Sequence, residues 1–347
     1  MDLKDRIQSF AELGTILRDS LQGKQTEYTD RLNQLIENQQ FKNPWFTPSN
    51  VRQAFSSIAE ELTYDNLVKW TSSYPELEQP RNPVRAGVIM AGNIPLVGFH
   101  DFLSVLISGN SIIAKTSSKD SDLIRFIGQI LCGVDPRFDG RIEFTDGTLN
   151  QFDVVIATGS DNSSRYFEYY FGKYPHVIRK NRNSVAVLTG DESDTELENL
   201  GKDVFSYFGL GCRNVSKIYL PAGYDLPAVS KHWQGYSDLI NNVKYANNYD
   251  FHKAVYLVNR EEFTDIGLIL LKESKNLSSP VAVLYFEYYT SDEQLEQTLN
   301  GLKDKIQCVI GKDFIPFGQS QSPSLWDYAD GIDTIEFLLK KNSPGIL

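Results

Sequence analysis

The chain reads as an α/β protein of two lobes behind a helical N-terminal segment. Three observations lead there. Its 347 residues exceed the usual size of a single hydrophobic core. Beyond Pro83, short β-rich runs alternate with helical ones, the pattern of strand-helix-strand units around a mostly parallel sheet. Before Tyr74 the apolar residues recur at helical spacing.

In the N-terminal segment Ile7, Phe10, Leu13, Ile16 and Leu17 draw one apolar stripe along a first helix. Thr47-Pro48 has the form of an N-cap followed by proline at the first helical position. Three prolines between Pro75 and Pro83 interrupt regular structure, which bounds the helical segment at 1–82 and leaves it to pack on the α/β lobe that follows. Within 83–205 strands are predicted at 85–90, 111–115, 141–144, 154–157 and 184–188. Helices fall between them at 96–108, 119–132 and 162–172, and Ser193-Asp194-Thr195-Glu196 is a capping box that opens another. Within 206–320 the pattern gives strands at 217–220, 266–271, 281–286 and 307–310, with helices at 226–240, 249–258 and 291–302. Residues 321–347 form a C-terminal return segment. The aromatic run Tyr166, Phe167, Tyr169, Tyr170, Phe171 is read as domain core or subunit contact ahead of an apolar channel.

Composition removes several function classes. With 34 Lys and Arg against 45 Asp and Glu, the net charge of -11 opposes a sequence-independent nucleic-acid binder. No uninterrupted apolar run reaches about 18 residues, so stable membrane insertion is not expected. The opening Met1-Asp2-Leu3-Lys4-Asp5-Arg6 lacks the apolar core of a secretion signal. A cytoplasmic location follows as the expectation, with Cys132, Cys212 and Cys308 as reduced thiols. The spacing of these cysteines and of the four histidines fits no metal site.

Cys212 lies in Phe208-Gly209-Leu210-Gly211-Cys212-Arg213-Asn214. A lone cysteine is most often a small buried hydrophobe. Here Gly209 and Gly211 let the backbone approach a ligand, and Arg213 brings a positive charge that favours the thiolate, the form that attacks. Cys132 and Cys308 sit within apolar runs and read as core. Gly209-Leu210-Gly211 also matches half of a dinucleotide fingerprint, but Asn214 stands where the third glycine belongs and a helix precedes it, so that reading is rejected.

Three strand ends carry phosphate- or carbonyl-compatible chemistry. Asn93, in Gly92-Asn93-Ile94-Pro95, either builds the turn before the proline or donates its amide to a developing oxyanion, an interaction whose loss costs about 3–4 kcal/mol. Lys115-Thr116-Ser117-Ser118-Lys119 is either a solvated turn or a seat for a phosphate or ribose. Thr158-Gly159-Ser160 ends a strand just before a helix, where amides suit a pyrophosphate.

Together these residues resemble the aldehyde dehydrogenase superfamily and, within it, the acyl-CoA reductases of the fatty-acid reductase type found in bacterial bioluminescence. The resemblance covers roughly Pro83 to the C-terminus. It is carried by 87–96, 109–115, 157–160, 209–214 and the closing Trp326-Asp327-Tyr328-Ala329-Asp330-Gly331. It implies an aldehyde-dehydrogenase-like fold, with a Rossmann-like cofactor domain at 83–205 and a catalytic α/β domain at 206–320. It further implies that Cys212 becomes acylated and that Asn93, with the backbone N–H of Cys212, forms the oxyanion hole. Lys115 would hold the adenine ribose, and Gly159 and Ser160 would lie under the cofactor phosphates, beside Thr158, Ser117, Ser118 and Lys119.

Two departures from the superfamily pattern sharpen the expected function. Hydrolytic members carry a glutamate in Glu-Leu-Gly-Gly-Lys that activates water, whereas this chain has Arg179-Lys180-Asn181-Arg182-Asn183-Ser184. Without that base, water deacylates poorly and a thiol such as CoA becomes the natural exchange partner. NAD-preferring relatives place a glutamate three residues after the lysine; Ser118 followed by Lys119 would attract the 2′-phosphate of NADPH. The expectation is NADPH-dependent reduction of a long-chain fatty acyl-CoA to the aldehyde through a Cys212 thioester, with CoA as co-product. Alternatives are a reductase of short acyl-CoA or acyl phosphates, a cofactor-independent acyltransferase or acyl carrier subunit using Cys212, and an inactive scaffold. A homo-oligomer is expected, and an acyl-protein synthetase partner is left open.

Overall fold

The structure, a computed structural model, describes residues 1–159 and 161–341. The chain forms two compact units, Met1–Asn181 together with the segment from Ser324, and Arg182–Pro323.

The first unit opens with helices α1 (Leu3–Leu21), α2 (Thr29–Lys42), α3 (Pro48–Glu61) and α4 (Tyr64–Thr71). Thr47 Oγ1 accepts from the Asn50 N–H with Pro48 in the first turn, as the sequence predicts. The stripe of α1 is buried at Ile7, Phe10, Leu13 and Leu17; each such side chain contributes roughly 1.5–3 kcal/mol on leaving water.

After Pro83 come β1 (Arg85–Ile89), α5 (Phe99–Ile107), β2 (Ser111–Lys115), α6 (Ser121–Val134), β3 (Ile142–Thr145), β4 (Val154–Thr158), α7 (Asp161–Phe171) and β5 (His176–Arg179). The strands form a parallel sheet in the order β3-β2-β1-β4-β5, and α1 packs on α5 and α6. The order reverses at β1, so β2 and β4 flank it, the kind of switch point at whose carboxyl ends ligands collect in open α/β sheets. Strand β5 has no counterpart among the sequence predictions, whereas α7 lies within one residue of the helix predicted at 162–172. Its Phe171 ring meets Phe152, while Tyr166, Tyr169 and Tyr170 are exposed instead of serving a core.

The second unit contains β6 (Asn183–Val187), α8 (Asp194–Phe205), β7 (Val215–Pro221), α9 (Val243–Asn259), β8 (Thr264–Asp265), β9 (Leu270–Glu273), β10 (Val283–Tyr289), α10 (Asp292–Gly301) and β11 (Ile306–Ile310). The sheet order is β11-β6-β7-β10-β9-β8, parallel except for the β8–β9 pair. Strand β6 and helix α8, placed by sequence in the cofactor lobe, belong to this unit. The capping box is present, Ser193 and Glu196 each accepting from the other's backbone. The predicted helix at 226–240 is two short 3-10 turns that meet at buried Trp233. The chain then rejoins the first unit, ending in α11 (Thr334–Lys341). Among the described residues no helix is long and apolar enough to cross a membrane.

Candidate active site

In the first unit the register sets Lys115, Ile89 and Ala157 level across β2, β1 and β4. The loops carrying Asn93, Lys115–Lys119 and Thr158-Gly159 therefore leave the same edge of one sheet. Asn93 is exposed, Lys115 and Ser117 are half-buried, and Ser118 and Lys119 are exposed. Buried Thr116 turns away, its Oγ1 donating to Asp146. Thr158 and Gly159 are half-buried at the start of α7, and Ser160 lies outside the described residues.

The first two loops interlock. A Cβ on Gly92 would collide with Ser117 Oγ, so glycine is required for their close approach. The Leu96 N–H donates to Asp120 Oδ2 at 2.7 Å, and Leu96 holds φ +58°, a left-handed conformation uncommon for a non-glycine residue. Asp120 is 5% exposed, its Oδ1 has no hydrogen-bond partner, and burial pushes its carboxyl well above the usual carboxylate range. No sequence signal marked Asp120, which falls inside the helix predicted at 119–132.

Gly159 makes a third close approach, since a Cβ there would press on Ser163 and Phe167 of α7. Two lysines, two hydroxyls and a strand-to-helix turn at the carboxyl edge, beside the point where strand order reverses, suit the phosphates and ribose of a dinucleotide. A carboxylate near that seat would oppose a 2′-phosphate; Asp120 is instead buried and turned to Leu96.

In the second unit Cys212 is half-buried in the turn between α8 and β7, at the amino edge of its sheet. Approach to that turn is strained. Tyr207, Phe208 and Gly209 hold φ +51°, +59° and +74° in succession. The two aromatic residues cost roughly 1–2 kcal/mol each in that conformation, and burial of their rings, 5% and 6% exposed, offsets it.

Asn214 then fixes the turn. Its Oδ1 accepts from the Gly211 N–H at 2.8 Å, and its Nδ2 donates to the carbonyls of Asp203 and Ser206 at 3.1 and 2.9 Å. Asp203 is fully buried and takes the N–H groups of Gly318 and Ser320 at 2.6 and 2.9 Å; burial raises its carboxyl despite these donors. Ser184 Oγ donates to the Cys212 carbonyl at 2.9 Å and lies 3.0 Å from Cys308 Sγ. Cys308 is core, as the sequence suggested, whereas Cys132 is only half-buried. Buried Arg213 donates to the Ser320 carbonyl.

The segment read from the sequence in place of a glutamate motif has a structural job at its start. Buried Arg179 closes β5, donating to Asp101 at 2.5 Å and to Thr334 Oγ1 at 2.7 Å. Among the described residues no cluster of His, Cys, Asp and Glu could hold a metal.

The model of the acyl-CoA reductase (LuxC) family matches residues 56–226. No curated protein sequence matches the chain significantly. Solved structures match over nearly its whole length. Aldehyde dehydrogenase 21 from Physcomitrella patens, in complex with the reaction product succinate, has a TM-score of 0.67 at 11% identity, covering 99% of this chain and 85% of that one. A mutant of aldehyde dehydrogenase C from Pseudomonas syringae, complexed with NAD+ and octanal, has a TM-score of 0.63 at 11% identity, with 90% and 73% covered. An NADP dependent enzyme from E. coli gives 0.63 at 13% identity, with 89% and 73% covered. At such identities the likeness is one of architecture: the chain has the aldehyde-dehydrogenase fold, with a Rossmann-like unit and a second α/β unit.

Proposed function

We propose that the protein is an NADPH-dependent acyl-CoA reductase that releases an aldehyde from a long-chain fatty acyl-CoA through a thioester on Cys212. One observation carries the reading. The acyl-CoA reductase family model spans 56–226, a stretch that includes Asn93, Lys115 to Lys119, Thr158 to Ser160 and Cys212.

The Cys212 thiolate attacks the thioester carbonyl, forming a carbon–sulfur bond while the carbonyl electron pair moves onto oxygen. The Asn93 amide and the Cys212 N–H stabilise that oxyanion. The bond to CoA then breaks, CoA leaves as a thiolate that takes a proton from water, and the acyl group stays on Cys212. Lys115, Ser117, Ser118, Lys119, Thr158, Gly159 and Ser160 would hold NADPH, which when bound would supply the hydride that reduces the acyl carbon. The resulting thiohemiacetal oxyanion uses the same amides and collapses, freeing the aldehyde and restoring the Cys212 thiolate. The segment Arg179-Lys180-Asn181-Arg182-Asn183-Ser184, read in place of the water-activating glutamate motif, carries no carboxylate, which favours release by reduction over hydrolysis. Preference for NADPH rests on Ser118 and Lys119 standing exposed where a carboxylate would repel a 2′-phosphate.

Intact-protein mass spectrometry after incubation with acyl-CoAs of graded chain length tests the proposal. An acyl adduct that maps to Cys212, is absent in Cys212→Ser and disappears on adding NADPH is expected. No adduct, or one that persists in Cys212→Ser, overturns it. An adduct on Cys212 indifferent to both NADPH and NADH would identify an acyl carrier instead.

A further inference from the structure

We propose that Asp120 is a positioning residue that sets the backbone around Asn93 and ties it to the loop assigned to the dinucleotide. The inference rests on the oxyanion role proposed for Asn93.

Asn93 sits in a short loop whose two ends are held by the neighbouring one. On one side Gly92 packs directly against Ser117, with no room for a Cβ. On the other, the Leu96 N–H is taken by Asp120 Oδ2 at 2.7 Å. Asp120 belongs to the same turn as Ser117, its own N–H donating to the Ser117 carbonyl at 3.0 Å, and the Lys119 N–H donates to Ser117 Oγ at 3.3 Å. Residues 92–96 and 117–120 thus form one hydrogen-bonded frame with Asn93 at its exposed centre.

Burying a carboxyl that satisfies only one of its oxygens is expensive, and stability alone would favour an apolar residue there. The left-handed Leu96 explains what the carboxyl does. Without an acceptor at that point the Leu96 N–H would be buried unpaired and the loop would relax toward ordinary φ, carrying Asn93 with it. Since the acceptor stands on the turn that bears Ser117 and Lys119, a dinucleotide ordering that turn also orders Asn93.

The variants Asp120→Leu, which fills the site without an acceptor, and Asp120→Asn, which keeps one, test this beside Asn93→Ala and the double variant Asn93→Ala/Asp120→Leu. Asp120→Leu should slow acylation of Cys212 at least about tenfold, and Asp120→Asn should recover to within about threefold of wild type. In the double variant the rate should fall no more than about twofold below Asn93→Ala alone, because Asp120 acts only through Asn93. Multiplicative losses, or Asp120→Asn as slow as Asp120→Leu, would overturn the assignment.

Hydrogen exchange at the Leu96 amide, followed in ligand-free protein, supplies a readout independent of any acyl donor. Exchange should be at least about tenfold faster in Asp120→Leu and near wild type in Asp120→Asn. Unchanged exchange in Asp120→Leu sinks the positioning role even if acylation proceeds. Wild type that takes no acyl group sinks the reductase reading and with it the catalytic purpose of Asp120, while the exchange result then reports only its hold on Leu96. If Asp120→Leu does not fold, Asp120→Ala in the same assays decides.

Discussion

Asn214 shows how a residue can be visible in a sequence and still be misread. Next to Cys212 it registers only as the wrong residue for a third fingerprint glycine, because the pattern asks what is missing and not what an amide could tie together. In the structure that amide satisfies one N–H and two carbonyls of the strained turn, and it is 2% exposed. Asn214→Ala strands all three, so a loss of about 2–4 kcal/mol is expected, measured by urea unfolding. Alkylation of Cys212 by iodoacetamide should change rate in the same variant while alkylation of Cys132 does not. A loss under about 0.5 kcal/mol would mean that the turn holds its shape without the staple. Cys212, Asn93 and Lys115 were open to proposal from the sequence because their chemistry goes with their residue type. Asp120 was not, since a carboxylate becomes a buried acceptor only through a partner 24 residues away.

Elements were legible where a local rule was strong enough to stand alone. The capping box of α8 is the clearest case, with Glu196 accepting from Ser193 N–H and Oγ at 2.7 and 2.8 Å and Ser193 Oγ returning the bond at 3.3 Å. Ser193→Ala should cost about 1 kcal/mol, read as a lower unfolding midpoint in denaturant. The pH dependence has a definite sign. The Ser193 backbone and hydroxyl donors hold the Glu196 carboxyl below its ordinary value, so its contribution is present above the unfolded value near 4.5 and is lost as pH falls through the lower folded value. The stability gap between wild type and Glu196→Ala should therefore close on acidification from pH about 6 to about 3, and a gap that widened would contradict the assigned cap.

Rules failed where burial and secondary structure part company. The run Ile266 to Leu271 is apolar, yet Gly267 turns at φ +88° and the strand proper begins at Leu270. Leu226, Val229 and Trp233 recur at helical spacing, but the break at Trp233 leaves 3-10 turns. Strand β5 has only Val177 and Ile178 as apolar signal, too little for a pattern, and it exists because β4 offers an edge to pair with.

At the scale of the whole molecule the first unit is discontinuous, and its closing segment has to be fastened by contacts that no local pattern records. The sequence marked Trp326 to Gly331 as a resemblance without assigning it a task. In the structure Tyr328 OH accepts from Trp70 Nε1 at 2.8 Å and lies 2.7 Å from Tyr74 OH, which donates to Asp333 at 2.5 Å. Thr334 meets Arg179, and the Leu325 carbonyl meets His100 Nε2 at 2.8 Å. Arg179→Met would leave Asp101 buried without its partner, and a loss of about 3–5 kcal/mol is expected; Asp101→Leu/Arg179→Met should recover most of it, because two apolar residues need no pairing.

His100 makes the fastening sensitive to acid. Burial lowers its pKa below the ordinary 6.5, more than the bond to Leu325 raises it, so the ring is neutral when folded and its Nε2–H donates to the carbonyl. A folded value below the unfolded one means that the unfolded chain binds the proton first, and stability falls as pH drops through about 6.5 until the folded ring also titrates. His100→Gln keeps a donor for Leu325 but cannot take a proton, so its thermal midpoint should fall less than that of wild type between pH about 7 and about 5. Burial lowers His252 as well, so some acid sensitivity will remain in the variant; equal losses in the two proteins would show that the ring at Leu325 is not where protons act.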